Sequence, residues 1–297
     1  MNRRDFLLSA SALGIATTIG CQQPGAAPSA EATPAGAMPK SGMQLGLVTY
    51  QWAKDWDLAT ILANCEKSGV LGVELRTEHK HGVEPTLSKA ERAEVKKRFA
   101  DSPVTLVGYG SNCEYHSPDP AVLKKNIDQT KAYIELMADC GSTGVKVKPN
   151  TLPADVPKEK TVEQIGKALN EVAAYGADFG QKIRVEVHGK YTQAPAVMKE
   201  IFDVADHKNA YICWNSNPED LEGAGLEANF RMLRPRFGDT VHVRELNIGD
   251  YPFPELMKLF VSTNYEGWIL LEARTEQADY VKALQEQQEL FKKLTTA

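Results

Sequence analysis

From Met43 onward the chain alternates short apolar, β-branched runs with longer amphipathic stretches, and this alternation is the strongest constraint on what it can fold into. Eight runs read as strands: MQLGLVTY, VLGVELR, VTLVGYG, TGVKVKP, KIRVEVHG, NAYICWN, TVHVREL and GWILLEA. Between them lie helix-length segments such as DLATILANCEKSG, LSKAERAEVKKRFA, DPAVLKKNIDQTKAYIELMADCG and TVEQIGKALNEVAAYGADFG, and TEQADYVKALQEQQELFKKL closes the chain. Strands that alternate with helices pair in parallel, because each crossover helix returns the chain to the same end of the sheet. Eight such units in residues 43–297 predict one α/β domain, a single (β/α)8 TIM barrel. A doubly wound open sheet is the competing arrangement, but no GxGxxG follows the first strand.

The first 42 residues do not share the pattern. Residues 1–20 begin with Arg3 and Arg4 and continue in a small and apolar stretch, which reads as a twin-arginine export signal too short to span a bilayer. Cys21 follows Thr18, Ile19 and Gly20 as in a lipoprotein cleavage box, although Thr18 stands where an aliphatic residue is usual, so Cys21 is a possible lipid anchor. Residues 21–42 are rich in Ala, Pro and Gly and read as a flexible tether. The expectation is an exported protein, periplasmic or anchored as a lipoprotein in a bacterial cell envelope. The remaining cysteines, 65, 113, 140 and 213, include no CxxC pair and are expected to be free, buried thiols.

A net charge of -5 and a pI near 5.8, with no basic run, exclude nucleic acid as the expected partner. The chemistry instead collects at strand ends. Residues i and i+2 share a face of a strand, and six strands place polar couplets on the same parity near their C-terminal ends. These are Glu74 with Arg76, Lys146 with Lys148, Glu186 with His188, Asn215 with Asn217, His242 with Arg244, and Glu272 with Arg274. Any one couplet taken alone reads better as a solvated strand end or a structural ion pair. Six that converge on the face where such barrels carry their active sites shift the balance to a functional mouth.

Within that set Glu186, His242 and Glu272 offer two hard oxygens and an imidazole, a donor set for a divalent metal. The bland alternative pairs the glutamates with Arg244 and Arg274. His79 and His81, just beyond the second strand, read either as loop histidines or as ligands for substrate or a second metal. Tyr109, Glu114, Tyr115 and His116 lie in GYGSNCEYHSP, where aromatic rings can stack on a ligand ring. No His or Asn partner for Cys113 is evident, so no thiol nucleophile is expected.

The stretches RVEVHG, ICWNSN, VHVREL and ILLEAR resemble the xylose isomerase-like barrels, a family that includes sugar isomerases, ketose 3-epimerases and inosose-processing enzymes. The resemblance implies one divalent ion (Mn, Mg, Co or Zn) held by residues at the ends of strands five to eight, which here are Glu186, Asn215, His242 and Glu272. The family carries Asp where this chain has Asn215. An Asn oxygen still ligates a hard cation but brings no charge, leaving the set at about -2. Three readings stay open for Asn215: a weakened metal ligand, a sugar-hydroxyl ligand, or a mark of lost catalysis.

The resemblance further implies proton abstraction next to a carbonyl through an enediolate, with Glu186 and Glu272 as base and acid. His188, Lys148, Arg244, Arg274, Asn217, His79 and His81 would contact a small carbohydrate. The expected activity is therefore a metal-dependent sugar isomerase or epimerase. The alternatives are a lyase or deglycosidase acting on keto-glycosides and a non-catalytic sugar-binding lipoprotein. The family's DNA-repair endonucleases are disfavoured by the acidic balance.

Overall fold

The computed structural model describes residues 42–296. The expected export signal, Cys21 and all but the last residue of the tether lie outside the described residues.

All eight expected strands form: β1 (Gln44–Val48), β2 (Gly72–Arg76), β3 (Thr105–Glu114), β4 (Gly144–Lys148), β5 (Lys182–Glu186), β6 (Ala210–Cys213), β7 (Thr240–Val243) and β8 (Trp268–Leu271). They alternate with α1 (Leu58–Ser68), α2 (Lys89–Ala100), α3 (Pro120–Cys140), α4 (Lys158–Asp178), α5 (Pro195–Val204), α6 (Leu226–Leu233), α7 (Phe253–Ser262) and α8 (Tyr280–Thr296). β1 to β6 pair in parallel in sequence order, and β8 pairs with both β1 and β7. The circle closes at β6 and β7 through a thin seam, the bridge from Ile212 to Phe237 and a bond from His242 N–H to Trp214 O of 2.7 Å. The chain is a (β/α)8 barrel.

Local signals explain the helix boundaries. Asp57 caps α1 by accepting from Thr60 N–H, and Gly69 ends it at φ 74°. Ser88 and Glu91 form a reciprocal capping box on α2. Asp119 with Pro120 starts α3, and Gly141 at φ 82° stops it.

Inside the barrel, small residues make room for large ones. A Cβ on Gly108 would lie 2.3 Å from Arg184 Nη1, and one on Gly110 would lie 2.7 Å from Glu74 Oε1. Any larger residue at Gly110 would fill the space the polar mouth needs. The third strand runs farther than expected, through Glu114, with a register shift between Gly110 and Glu114. Cys65, Cys113, Cys140 and Cys213 are free and buried. Among the described residues no helix is long and apolar enough to cross a membrane.

Candidate active site

Glu186, His242 and Glu272 come from β5, β7 and the end of β8, and ligand atoms of all three lie within 4.8 Å of one another. Each is buried. Outward neighbours fix this inward aim: Trp214 packs on Phe230 and Phe237 in the helix layer, which turns Asn215 into the barrel.

Two residues outside the expected site set complete the centre. Lys146 of β4, fully buried, places its ammonium 2.6 Å from Glu186 Oε2. Glu74 of β2, also fully buried, lies 3.2 Å from His242 Nε2. Asn215 donates its amide to Glu186 Oε1 at 3.1 Å, and His242 Nδ1 lies 3.7 Å from that same oxygen. Both oxygens of Glu186 therefore already face donors. Burial alone would raise its pKa, but Lys146 and His242 reverse this and hold the carboxyl well below the usual carboxylate range.

Glu272 is held by Arg76 at 3.1 Å on one oxygen and by Arg274 at 3.3 Å on the other. The two guanidinium groups also flank the Tyr50 ring, at 5.3 and 5.7 Å from its centroid. The structural pairing anticipated with Arg244 does not form; Glu272 takes Arg76 in its place. Arg244 is exposed and makes no salt bridge or side-chain hydrogen bond among the described residues, only its backbone N–H reaching Ser216 Oγ.

Lys148 reaches Glu114 at 3.5 Å and Asn112 at 3.4 Å, on the rim. His188 is half-buried with Nδ1 unpartnered, and burial lowers its pKa despite nearby Glu186, so it faces the mouth as a neutral ring. His79 meets Thr49 Oγ1 at 3.3 Å, and burial, with the charges of His81 and Arg76, brings its pKa down to about 4.

Other candidates are placed elsewhere. His81 has its Nε2 on Arg76 O at 2.8 Å and its Nδ1 on Val83 N–H at 3.0 Å, so both ring nitrogens are committed to the backbone and neither is left for substrate or metal. Asn217 donates to Val187 O at 2.7 Å and ties the ends of β5 and β6 together. Tyr109 and Tyr115 do not offer a stacking surface. They are buried among the helices, Tyr109 stacked on Tyr133 and Tyr115 bonded to Thr130.

The donor set fits a divalent ion. Among the described residues His242 has no hydrogen-bonding partner in good geometry on either ring nitrogen although it is fully buried, and Glu74 beside Nε2 is the kind of outer carboxylate that orients a metal-bound imidazole. The charge balance differs from the count of two carboxylates made on sequence. Glu74, Glu186 and Glu272 are met by Lys146, Arg76 and Arg274, so resident cations already offset the carboxylates that a metal would neutralise.

Comparison with known proteins places the chain. Residues 62–294 match the family described as xylose isomerase-like TIM barrel, and the chain belongs to that family. No protein of curated function matches its sequence. Among solved structures it is similar to the 3-keto-D-glucoside 4-epimerase YcjR from E. coli, with a TM-score of 0.72 at 14% identity over 84% of this chain and 99% of that one. It is also similar to an L-ribulose 3-epimerase, with a TM-score of 0.74 at 16% identity over 85% and 94%. A third similar structure is the IolI protein with a bound zinc atom, at a TM-score of 0.67 and 16% identity over 85% and 96%. At these identities the likeness is one of fold.

Proposed function

We propose that this barrel is a divalent-metal-dependent isomerase or epimerase of an unphosphorylated keto-sugar. The observation that carries the reading is the buried Glu186–His242–Glu272 cluster at the C-terminal mouth, with its orphaned imidazole. The sugar epimerases among its structural neighbours support the substrate class.

Glu186, His242 and Glu272 would hold the ion, with Asn215 as a fourth neighbour. The chemistry such an ion contributes when bound is polarisation of a substrate carbonyl. Glu186, kept ionised by Lys146, takes the proton from the adjacent carbon. Isomerisation needs only that Glu186 deliver the same proton to the neighbouring carbon. Epimerisation needs Glu272, between Arg76 and Arg274, to take up a solvent proton and deliver it to the other face of the enediolate while Glu186 releases its own to solvent. Lys148 and Arg274 face the negative charge that develops on the sugar oxygens, and neutral His188 and His79 can accept or donate to hydroxyls. Residues 1–20 and Cys21 belong to the proposal as the route by which the enzyme reaches the cell envelope.

The test is solvent exchange. The protein reconstituted with Mn2+ is incubated with ketohexoses and 3-keto-glucosides in D2O, and NMR follows deuterium entering the carbon beside the carbonyl. Entry in wild type and its loss in Glu186→Gln and Glu272→Gln is the expected result. Absence of exchange with every keto-sugar, in protein shown to contain metal, rejects the enzyme in favour of a sugar-binding protein.

A further inference from the structure

Beside the mouth, the turn after β6 and the loop between β7 and α7 enclose a cavity of about 350 Å3. That is enough for one ring with its substituents, at the lower end of small-molecule sites, which run roughly 300–1,000 Å3. Its walls are Leu221, Ile248, Tyr251 and Phe253, and Arg244 stands at its edge. Of the six exposed large hydrophobic residues among those described, Leu221 and Ile248 meet in this one cleft, each 41% exposed.

Arg244 joins the cavity to the catalytic mouth. It follows His242 by two residues, on the same parity of β7, and lies near enough to Glu272 and Arg274 to feel both charges. Its guanidinium carries no partner of its own among the described residues.

We infer that this cavity is a subsite for the apolar, aromatic aglycone of a glycoside whose sugar ring occupies the mouth. The inference rests on the sugar reading proposed above and narrows its substrate to a glycoside. Polar supply in the cleft decides between an aromatic ring and a second sugar. Tyr251 OH has given its only proton to Asp220 at 2.8 Å and can only accept, and Ser216 Oγ accepts from the Arg244 N–H at 3.4 Å, which leaves it one proton to donate. Arg244 and the exposed Asp250 are the other polar side chains, so the cleft offers few side-chain partners against its apolar walls. A pyranose would leave most of its hydroxyls without partners, at the cost of desolvating them. A flat aromatic ring needs none, gains the apolar walls, and presents a π-face to the Arg244 guanidinium.

The experiment is calorimetric titration of Mn2+-loaded full-length protein with phenyl glucoside, methyl glucoside and a disaccharide of glucose. None carries a ketone, so none can be turned over. Phenyl glucoside is expected to bind about ten-fold more tightly than methyl glucoside. That advantage should vanish in the double variant Leu221→Ser with Ile248→Ser, whose two sites are on the surface, while methyl glucoside affinity stays the same. Equal affinity for the phenyl and methyl glucosides, an advantage that survives the double variant, or preference for the disaccharide overturns the aromatic subsite and leaves the sugar reading intact. Failure of all three ligands to bind overturns the glycoside subsite, and the keto-sugar reading is then decided separately by deuterium exchange.

Discussion

Two clusters of buried charge share strand β5, two residues apart, and they are completed differently. At the lower end, Arg184 gives Nε to Asp239 at 3.0 Å, Nη1 to Val107 O at 2.8 Å, and Nη2 to Thr143 at 2.9 Å and to Asp239 again at 3.2 Å. Asp239 is bound by Lys182 as well, at 2.9 Å. At the upper end, both ring nitrogens of His242, both oxygens of Glu74 and one nitrogen of His188 are buried without a hydrogen-bond partner in good geometry among the described residues. A network in which every buried nitrogen and oxygen has a partner has nothing left to bind, so it belongs to stability. One with several orphaned groups is held open for a ligand, because such groups are costly unless something arrives to meet them.

The contrast is broken most forcefully from below. Arg184→Met should destabilise the barrel by about 3 kcal/mol, since it removes the four hydrogen bonds of a buried guanidinium and leaves Asp239 with Lys182 alone. Adding Asp239→Asn should recover part of the loss, which denaturant unfolding of the single and double variants would measure. A mild single variant would show that the lower cluster is not the structural element proposed here.

Between these extremes is Asp220 at the rim. One oxygen accepts from Asn217 N–H and Tyr251 OH, and the other has no partner among the described residues. Burial pushes its pKa from 3.8 up to about 8, against the pull of those two bonds. The folded state then keeps a proton that the unfolded chain releases. Its stabilising contribution is complete below the unfolded pKa, is lost progressively as pH rises toward 8, and changes no further above that. Stability should fall by about 2–3 kcal/mol from pH 5 to pH 7, and Asp220→Asn should flatten that slope. Parallel slopes in the two proteins, read by thermal or urea unfolding, would remove Asp220 as the cause.

The upper cluster answers first to turnover, although Glu186→Gln also leaves the fully buried Lys146 without its carboxylate and should lower stability. Glu186→Gln and Glu272→Gln should each reduce deuterium exchange by about 100-fold or more while the fold survives. Stability comparable to wild type with full activity would mean that the orphaned groups serve something other than this chemistry.

How much of this was open to reading depends on what alternation can carry. Strand identity and inward parity follow from a period of two, so the eight strands and the inward places of Glu186, His242 and Glu272 could be read directly. Partner choice could not. Lys146 and Glu74 were visible as inward couplets, but the pairing of Lys146 with Glu186 depends on the β4–β5 register, in which Lys146 lies beside Arg184. The outward turn of Tyr109 was legible, since Gly108 and Gly110 on either side take the inward parity. The register shift after Gly110 hid the rest of that segment, because parity does not carry across a bulge. The backbone bonds of His81 belong to loop geometry, which leaves no periodic trace.

The smallest predicted effect is also the sharpest, and it concerns Asn215. Its amide donates to Glu186 Oε1 while Lys146 occupies Oε2, so Glu186 is held in place without any ion. Asn215→Asp would replace that donor with a second carboxylate about 3 Å from the first, a repulsion that a divalent cation relieves. Two changes of opposite sign follow. The metal-free variant should melt below wild type, and its affinity for Mn2+ should rise by about ten-fold, near 1.4 kcal/mol. Turnover need not follow affinity, because an extra anionic ligand makes the ion a poorer Lewis acid. If Asn215 serves only as a donor to Glu186 or to a sugar hydroxyl, metal affinity stays unchanged while the Michaelis constant rises. Calorimetric titration of Mn2+ into both proteins, with melting of each metal-free form, separates these outcomes, and equal affinities would remove Asn215 from the metal shell.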